Sequence, residues 1–364
     1  MLTRRQQEIL EIIRANPLVA QQELADQLGI SRSSVAGHIM QLTDQGVIRG
    51  RGYLLNESEY VCVVGGANVD IEGRVLGPLL LGDSNPGTMV RSPGGVGRNI
   101  AENLARLDVA TRLITALGRD DNGTWLHDQT AAAGVDLADS IWSDSAPTAT
   151  YLSIIDGSGE MAVAVNDMAI MDALDADALN VRRDTLVHAA AVVVDCNLTS
   201  EIIGHIATGL AGGPVFVDPV SSAKAGRVAD HLASIHTLKP NRAEAALLSG
   251  VDISGKRSLK TAAEALLGAG VQQVVISLGA EGVFFADAET SGTLAPPRRA
   301  VASVTGAGDA LMAGLVHAHL AGLPTEEAVR FAVVAAAVAA ASVSPVADDL
   351  SANTVHAKTE KEAS

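Results

Sequence analysis

The chain has 364 residues, with 26 basic and 42 acidic side chains and a formal net charge of −16. Apolar residues make up 48% and charged residues 19%, which excludes a disordered chain and provides for a buried core. This length is typical of two domains. Such an acidic chain is not devoted to nucleic acid, since that would require a broadly basic surface.

Three sequence features indicate the cellular compartment and the state of the cysteines. Cys62 and Cys196 are far apart without CxxC spacing, so we expect inert core thiols rather than disulfides or a zinc knuckle. The N-terminus becomes polar too early for a signal peptide. The longest apolar run, Phe331 to Ala341, has 11 residues, short of the roughly 20 that span a bilayer. We expect a cytoplasmic protein without a membrane segment.

Residues 1–56 have the pattern of three short helices followed by a two-stranded wing with a glycine-rich tip. The first helix is predicted to stop near Asn16, the second to end at Gly29, and the third to follow the N-cap Ser31. The stretch QQELADQLGISRSSVAGHIMQL resembles a winged helix-turn-helix whose recognition helix runs from Ser31 to Gln41.

This N-terminal segment is nearly neutral, with six arginines against five acidic residues up to Leu55. Arg32 lies on the recognition helix and Arg49 and Arg51 on the wing, where such domains contact phosphates and bases. We therefore predict DNA binding. A module that keeps the fold only for protein interaction or dimerisation is the alternative.

Residues 57–350 alternate between short apolar strands and alanine-rich helices, which predicts an α/β fold with an open, mostly parallel sheet covered on both faces. The predicted strands are YVCVVGG, TRLITAL, AAVVVDC, PVFVDP, IHTLKP and VQQVVISLG. Helices are predicted at 98–107, 126–133, 199–211, 242–248 and 259–269. The segments 70–91 and 149–166 break this rhythm and predict antiparallel strands of a small lid. The polar tail, 351–364, is expected to fray.

One glycine-bearing site lies in SVTGAGDALMAG. Gly306, Ala307 and Gly308 enter a helix and leave backbone N–H groups free at its positive end, which suits a phosphoryl group. Asp309 follows in the first turn, where its carboxylate could take a proton from an attacking hydroxyl. An aspartate that only stabilises the helix dipole is the alternative.

Two further glycine-bearing sites precede it. In SPGGVGRN, Gly94 and Gly95 allow close approach of a ligand, and Asn99 offers both donor and acceptor to sugar hydroxyls. This loop is not a Walker A motif, because no Gly-Lys-Ser/Thr follows. In GGANVD, at the end of the first strand, Asp70 could accept hydrogen bonds from a diol, supported by Asn68.

In chain order, the motifs GGANVD, SPGGVGRN, KPNRAE, SLGAEGV and VTGAGDALMAG resemble those of the ribokinase-like family of sugar and nucleoside kinases. The resemblance covers about residues 60 to 345. It implies an ATP-dependent kinase with Mg²⁺, in which Asp309 is the general base and Gly306 to Gly308 form the anion hole. It also implies that Asn241 and Glu244 order Mg²⁺ and its waters, a reasonable pair since Mg²⁺ prefers a carboxylate and retained waters.

The resemblance extends to the two ligand sites. Ser277, Gly279 and Gly282, with Asn241, Gly306 and Gly308, would line the nucleotide site. Asp70, Gly94, Gly95 and Asn99 would hold the sugar, with Asn68 nearby. Many relatives have Asp where Ser303 stands, and there it helps bind a monovalent cation. Serine is a weaker ligand, so K⁺ activation is left open.

The stretches SPGGVGRNIAENLARL, PTATYLSIID, VNDM, VVVDCNL and VDPVS are most similar to the pseudouridine kinase branch. That similarity implies phosphorylation of the nucleoside 5′ hydroxyl, with Asp167, Asp195 and Asn197 near the acceptor site. Another nucleoside or ribose-type sugar kinase is one alternative. A transcription regulator with a non-catalytic, nucleoside-sensing domain is the other. We expect a homodimer that binds palindromic operator DNA; coupling of nucleoside binding to DNA affinity is open.

Overall fold

The computed structural model describes residues 2–48, 59–297 and 300–363. The chain divides into two compact units, Met1–Glu59 and Tyr60–Ser364. The predicted wing, with Arg49 and Arg51, lies outside the described residues.

The first unit contains α1 (Arg4–Ala15), α2 (Gln21–Leu28) and α3 (Arg32–Asp44). Gly29 ends α2 in the left-handed conformation, with φ of 63°. The Ser31 hydroxyl accepts the Ser34 N–H at 3.1 Å and caps α3. Ile9, Leu24 and Leu42 are among the buried side chains that hold the three helices together. The three predicted helices and the turn are confirmed.

The second unit is built on strands. They are β1 (Val61–Val64), β2 (Asn68–Val75), β3 (Gly87–Gly94), β4 (Thr111–Ile114), β5 (Ala116–Gly118), β6 (Ile141–Ser143), β7 (Thr150–Ile155), β8 (Met161–Asp167), β9 (Ala191–Asp195), β10 (Val215–Asp218), β11 (Thr237–Leu238), β12 (Gln273–Ser277), β13 (Val283–Ala286) and β14 (Ser291–Leu294). Among the described residues, the main sheet has the order β14-β13-β12-β11-β10-β9-β1-β4.

Most of this sheet is parallel, as predicted. From β12 to β4 every pairing is parallel, whereas β13 and β14 continue the sheet antiparallel. The sequence analysis did not predict β13 and β14. It also treated TRLITAL as one strand, but β4 ends at Ile114, and β5, which begins after Thr115, pairs with β6 in a separate two-stranded sheet.

Helices cover the sheet on both faces. They are α4 (Val96–Arg106), α5 (Asp121–Ala132), α6 (Ala176–Val181), α7 (Arg183–Val187), α8 (Ser200–His205), α9 (Ser222–Ala225), α10 (Arg242–Ser249), α11 (Lys256–Gly268), α12 (Ala307–Leu320), α13 (Thr325–Ala340) and α14 (Ala352–Ala363). The predicted helix 199–211 is α8 followed by a π-helical turn, Ile206–Leu210. The helix predicted at 126–133 begins earlier, because Asp120 accepts the Gly123 N–H and caps α5.

The lid is a second sheet of order β3-β2-β7-β8. The prediction of purely antiparallel strands was wrong at its centre, where β2 and β7 run parallel. Two hairpins, β2–β3 and β7–β8, each leave the body and return to it, so their first strands point the same way.

Two apolar clusters pack on the second unit's sheet, and the C-terminal tail joins one of them. Val355 of α14 is fully buried there, so the tail forms a helix rather than fraying. Cys62 and Cys196 are buried in the other cluster, where burial raises the pKa of both thiols, in agreement with inert core residues. None of the described helices has the length and apolar composition needed to cross a membrane.

Candidate active site

Ionisable side chains gather at the carboxyl end of neighbouring parallel strands. Asp195 ends β9 and Asp218 ends β10, and the register pairs these two residues directly. Lys239 follows β11, the next strand along the sheet. Ligands of open α/β sheets bind beyond this edge. The fold therefore places one buried charged cluster at the expected location of a ligand site.

Helix α12 brings Asp309 to this cluster. Gly306 caps the helix with φ of 82°, and a Cβ there would lie 1.8 Å from the Pro345 carbonyl oxygen, so only glycine fits. Ala307 and Gly308 form the first turn, where backbone N–H groups have no helical partner. Asp309 follows on the same turn and is 8% exposed. The free N–H groups of the predicted anion hole and the Asp309 carboxylate therefore lie side by side at the start of α12.

The carboxylate of Asp309 lies in an environment suited to proton transfer. Burial raises its pKa to about 7, and the nearby negative charge of Asp218 acts in the same direction. The Asn99 side-chain amide opposes this by donating through Nδ2 to Oδ2 of Asp309 at 2.9 Å. A base with a pKa near the working pH is well matched to general base catalysis.

Lys239 is a site residue that the sequence analysis missed. Its ammonium pairs with the Asp218 carboxylate at 2.9 Å, and both side chains are buried. Its Nζ also lies 3.3 Å from the position that a Cβ would take on Gly308. Burial lowers the pKa of Lys239, but the charges of Asp218, Asp309 and Glu244 outweigh this and raise it. A fixed cation therefore lies beside the free N–H groups of α12.

Asp195 connects two glycine-bearing turns, at Gly66 and Gly97, that belong to the predicted acceptor side, where the sugar would bind. Its Oδ2 accepts the N–H groups of Gly66 and Gly97, each at 2.8 Å, and its Oδ1 accepts the Asn197 N–H at 2.8 Å. The side chain is fully buried. Asp195 thus lies in the predicted region, but its carboxylate holds backbone groups in place instead of facing a ligand.

Asn68 and Asp70 are arranged as a pair on β2. Asn68 donates through Nδ2 to the Asp70 carboxylate at 2.6 Å, and burial raises the pKa of Asp70. A Cβ on Gly94 of the neighbouring strand would lie 2.2 Å from Asp70 Oδ2. Gly95 has φ of 100° and packs against the Gly66 carbonyl. These predicted sugar-binding residues therefore converge. Glycine is required at position 95 by the backbone packing, whereas a side chain at Gly94 would displace the Asp70 carboxylate.

Asn197 and Lys224 form a second polar pair near the acceptor side. Lys224 donates to Asn197 Oδ1 at 2.6 Å, and burial lowers the pKa of this lysine. The Asn197 amide nitrogen lies 2.7 Å from the position of a Cβ on Gly66, which places the pair at the first glycine turn. The sequence analysis did not single out Lys224. Asp167, predicted with this group, is exposed at the end of β8 and accepts the Ala169 N–H at 3.2 Å.

A cavity of about 560 Å³ adjoins the anion hole. Its walls include the predicted nucleotide residues Ser277, Gly279 and Gly282, together with Ala307 and Gly308. Most of its remaining lining is apolar: Val283, Pro296, Pro297, Val301, Val304, Leu311 and Val333. Size and lining fit a nucleobase and ribose, whose phosphates would reach the start of α12.

Gly282 has a structural role that the sequence analysis did not predict. A Cβ on it would lie 2.0 Å from the Leu294 carbonyl oxygen of β14, and its φ is 92°. The close approach that requires glycine is thus made by the protein's own backbone, although the residue also lines the cavity.

Asn241 and Glu244, the predicted magnesium residues, form a capping box on α10. Asn241 donates from its backbone and its amide to the two Glu244 oxygens at 2.8 and 2.7 Å. Each carboxylate oxygen keeps a further acceptor position. One carboxylate and one amide oxygen fit a Mg²⁺ ion held mainly through water and phosphate. Among the described residues, no group of three or more His, Cys, Asp or Glu side chains is arranged to hold a metal.

In the N-terminal unit, Arg32 is exposed at the first position of α3. Ser33, Ser34, Met40 and Gln41 of the same helix are also exposed, so α3 presents one arginine, three polar side chains and a methionine to the surface. This is the surface that a recognition helix would direct into a DNA groove.

The lid, the glycine-capped helix and its buried carboxylate define the ribokinase-like class of small-molecule kinases. Residues 58–352 match the model of the pfkB family of carbohydrate kinases, and residues 2–49 match a winged helix-turn-helix DNA-binding model. The chain belongs to the pfkB family of carbohydrate kinases and carries an N-terminal winged helix-turn-helix. Both resemblances found in the sequence motifs are confirmed.

Two relatives from Escherichia coli are similar over most of the chain. The uncharacterized sugar kinase YeiI is 43% identical over 94% of this chain and 94% of its own length. A pseudouridine kinase is 43% identical over 76% of this chain and 89% of its own length. A carbohydrate kinase structure from Agrobacterium tumefaciens superposes with a TM-score of 0.74 at 30% identity, covering 83% of this chain and 97% of its own. Ribokinase from Arabidopsis thaliana, complexed with ribose and ATP, shares the fold at 24% identity, with a TM-score of 0.72 over 83% of this chain and 99% of its own.

Asp195→Asn tests the connecting role of this carboxylate. The new amide must place an N–H₂ group against at least one backbone N–H, and an unsatisfied buried group costs about 1–3 kcal/mol. We expect the free energy of unfolding in urea to fall by that amount. Asp167→Asn is the matched control, because Asp167 is exposed and should change stability little. Equal stability of the two variants would contradict this role of Asp195.

Proposed function

We propose that the protein is an ATP-dependent kinase that phosphorylates the 5′ hydroxyl of pseudouridine. The buried Asp309 carboxylate, held by Asn99 beside the glycine-capped start of α12, is the observation that carries the reaction type. The 43% identity to a pseudouridine kinase supports the substrate. ATP and DNA, the other ligands of this proposal, are both present in the cytoplasm, and we place the protein there.

Different groups carry out the proton removal, the charge stabilisation and the Mg²⁺ binding of phosphoryl transfer. Asp309 removes the proton of the attacking hydroxyl, while the N–H groups of Gly306 to Gly308 stabilise charge on the transferred phosphoryl group. Lys239 adds a fixed positive charge at the same place. When bound, Mg²⁺ neutralises phosphate charge, and Asn241 and Glu244 would hold its water shell. Such positioned charges supply most of the catalysis in phosphoryl transfer.

On the acceptor side, the polar pairs suit a nucleoside. Asp70 accepts hydrogen bonds from the ribose diol, with Asn68 holding its carboxylate. The Asn197 amide and the Lys224 ammonium offer donors to carbonyl groups of a pyrimidine base. Uridine carries the same two carbonyls, so these donors suit pyrimidine nucleosides in general, and the choice of pseudouridine rests on the similarity to a pseudouridine kinase. Ribose alone would use only the contacts of Asp70.

A panel of acceptors tests the proposal directly. Purified protein with Mg·ATP is given pseudouridine, uridine, cytidine, adenosine, ribose and fructose, and phosphorylated products are identified by mass spectrometry and NMR. We expect the highest kcat/KM with pseudouridine and phosphate on the 5′ oxygen. Turnover of another acceptor without pseudouridine would overturn the substrate. Binding of pseudouridine without any turnover would favour the nucleoside-sensing regulator.

Asp309→Asn tests the general base. The amide keeps the size of the side chain but cannot take a proton, so we expect kcat to fall by roughly 10²–10⁴-fold. The pKa of Asp309 is higher in the fold than in the unfolded chain, so its ionisation lowers stability as pH rises toward 7. Asp309→Asn should therefore melt at a higher temperature than the wild-type protein at pH 8. A near-normal kcat would remove Asp309 from the mechanism.

A homodimer that binds operator DNA is the second part of the proposal. Neighbouring lid strands align Met89, Ile154, Val163 and Val165 on one face. Met89, Val163 and Val165 are 72%, 53% and 59% exposed, so this face suits burial against a second copy. A helix-turn-helix commonly reads a two-fold site as a dimer.

Selection of bound genomic DNA at low salt should enrich a palindromic site. Affinity should fall steeply with salt, because arginines displace counterions from phosphates. Arg32→Ala should weaken binding, whereas Arg74→Ala, an exposed lid arginine, should not. Val163→Glu should give a monomer by sedimentation and weaken operator binding. Failure to enrich any sequence would overturn the DNA role, and the N-terminal unit would then be a protein-interaction module. Repeating the DNA titration with pseudouridine shows whether nucleoside binding changes the affinity for DNA.

A further inference from the structure

Arg98 is a buried cation in the GGVGRN motif to which the proposed mechanism gives no role. Its side chain is 2% exposed. The guanidinium donates to the Pro93 carbonyl at 3.2 Å, to the Thr130 hydroxyl at 3.3 Å and to the Asn99 amide oxygen at 2.9 Å. It also pairs with Glu102 one turn later on α4. Four partners therefore fix its position and direction.

This guanidinium decides which way the Asn99 amide points. An asparagine amide has one accepting and one donating end, and the two are nearly equal in shape. A guanidinium can only donate, so the oxygen of Asn99 must face Arg98. The donating end then faces Asp309, where Nδ2 and Oδ2 are 2.9 Å apart. A flipped amide would set a donor against Arg98 and an oxygen against a carboxylate.

We propose that Arg98 is a positioning residue for the proposed phosphoryl transfer, acting through Asn99. It locks the amide so that Asn99 donates to one oxygen of the Asp309 carboxylate and leaves the other oxygen for the acceptor proton. The inference rests on the proposed function, because it assigns Arg98 to the same base. It does not require Arg98 to touch the substrate.

The anchoring of Arg98 supports this role. Glu102 is itself held by Arg106, which lies 2.8 Å from its other oxygen. Burial lowers the pKa of Arg98 to about 10, so it stays charged at neutral pH, and the charges of Asp70 and Asp309 favour that form. The other charged groups that act on Asp309 belong to different strands: Asp195 on β9, Asp218 on β10 and Lys239 after β11. Substitution of Arg98 leaves all three in place.

The test compares Arg98→Lys and Arg98→Met with Arg106→Met by measuring kcat from pH 5.5 to 9 at saturating Mg·ATP and acceptor. Without the locked amide, Asp309 loses a hydrogen bond to its charged form, so its pKa rises. We expect the acid limb of the plot of kcat against pH to move to higher pH by about one unit. This shift lowers kcat about tenfold at pH 6. At pH 9 kcat should stay within about twofold, and KM for ATP should be unchanged.

The two Arg98 variants separate geometry from charge. Lysine can still pair with Glu102, but a single ammonium does not reproduce the fork that reaches Asn99. Arg98→Lys should therefore fold normally and still show the displaced limb. In the wild-type protein Arg106 pairs with the same Glu102 but does not contact Asn99. The pH profile of kcat for Arg106→Met should therefore match that of the wild type.

A double-mutant cycle with Asn99→Ala completes the test. Adding Arg98→Lys to Asn99→Ala should move the acid limb no further, because the lysine keeps the positive charge that acts on Asp309 and only the contact with Asn99 is lost. An equal fall in kcat at every pH, an unmoved limb, or unfolding of both Arg98 variants would overturn the inference and leave Arg98 a purely structural role. Absence of turnover by the wild-type protein would instead overturn the proposed function, so the two failures are distinguishable.

Discussion

One buried carboxylate fixes the geometry of the acceptor side. Through Asp195, the turn after β1, the start of α4 and the loop after β9 share a single hydrogen-bonding centre. The approach is close enough that a Cβ on Gly97 would lie 2.9 Å from the Gly65 Cα. Helix α4 cannot rotate or slide without breaking these bonds. Because Asn99 follows Gly97 by two residues, this packing also determines where the amide meets Asp309.

Some of the buried carboxylates near the site are paired with cations, and others are not. Asp218 is neutralised by Lys239, and Glu102 by Arg98 and Arg106, whereas Asp309 receives only a hydrogen bond from Asn99. An ionised carboxylate without a direct partner is costly in a buried place. Asp309 shares this condition with Asp195, whose buried carboxylate accepts backbone N–H groups. Burial raises the pKa of both carboxyl groups.

The sequence predicted the motifs and most of the central strands, but it did not predict β13, β14 or the pairings between distant segments. Apolar runs predicted β1, β9 and β10. The glycine motifs singled out Asp309 as a base and Asn99 as a sugar-binding residue, whereas in the structure both ends of the Asn99 amide bind protein groups, Arg98 and Asp309. Lys239 was missed although it lies within KPNRAE, since its partner Asp218 is adjacent only through strand order. The same limit applies to β2 and β7, because hydrophobic periodicity does not show whether neighbouring strands are parallel. Gly94 and Gly282 carried a clear signal, but their packing partners could not be known.

The parallel centre of the lid has a mechanical consequence. Two separate hairpins join the lid to the body, so the chain crosses between them four times. The register sets these crossings in one row across the sheet, from Pro93 through Val69 and Thr150 to Asp167. A rigid rotation of the lid would therefore have this row as its axis. Asn68 and Gly94 are the paired residues next to the axis, so such a rotation would move them far less than the outer ends of the lid strands.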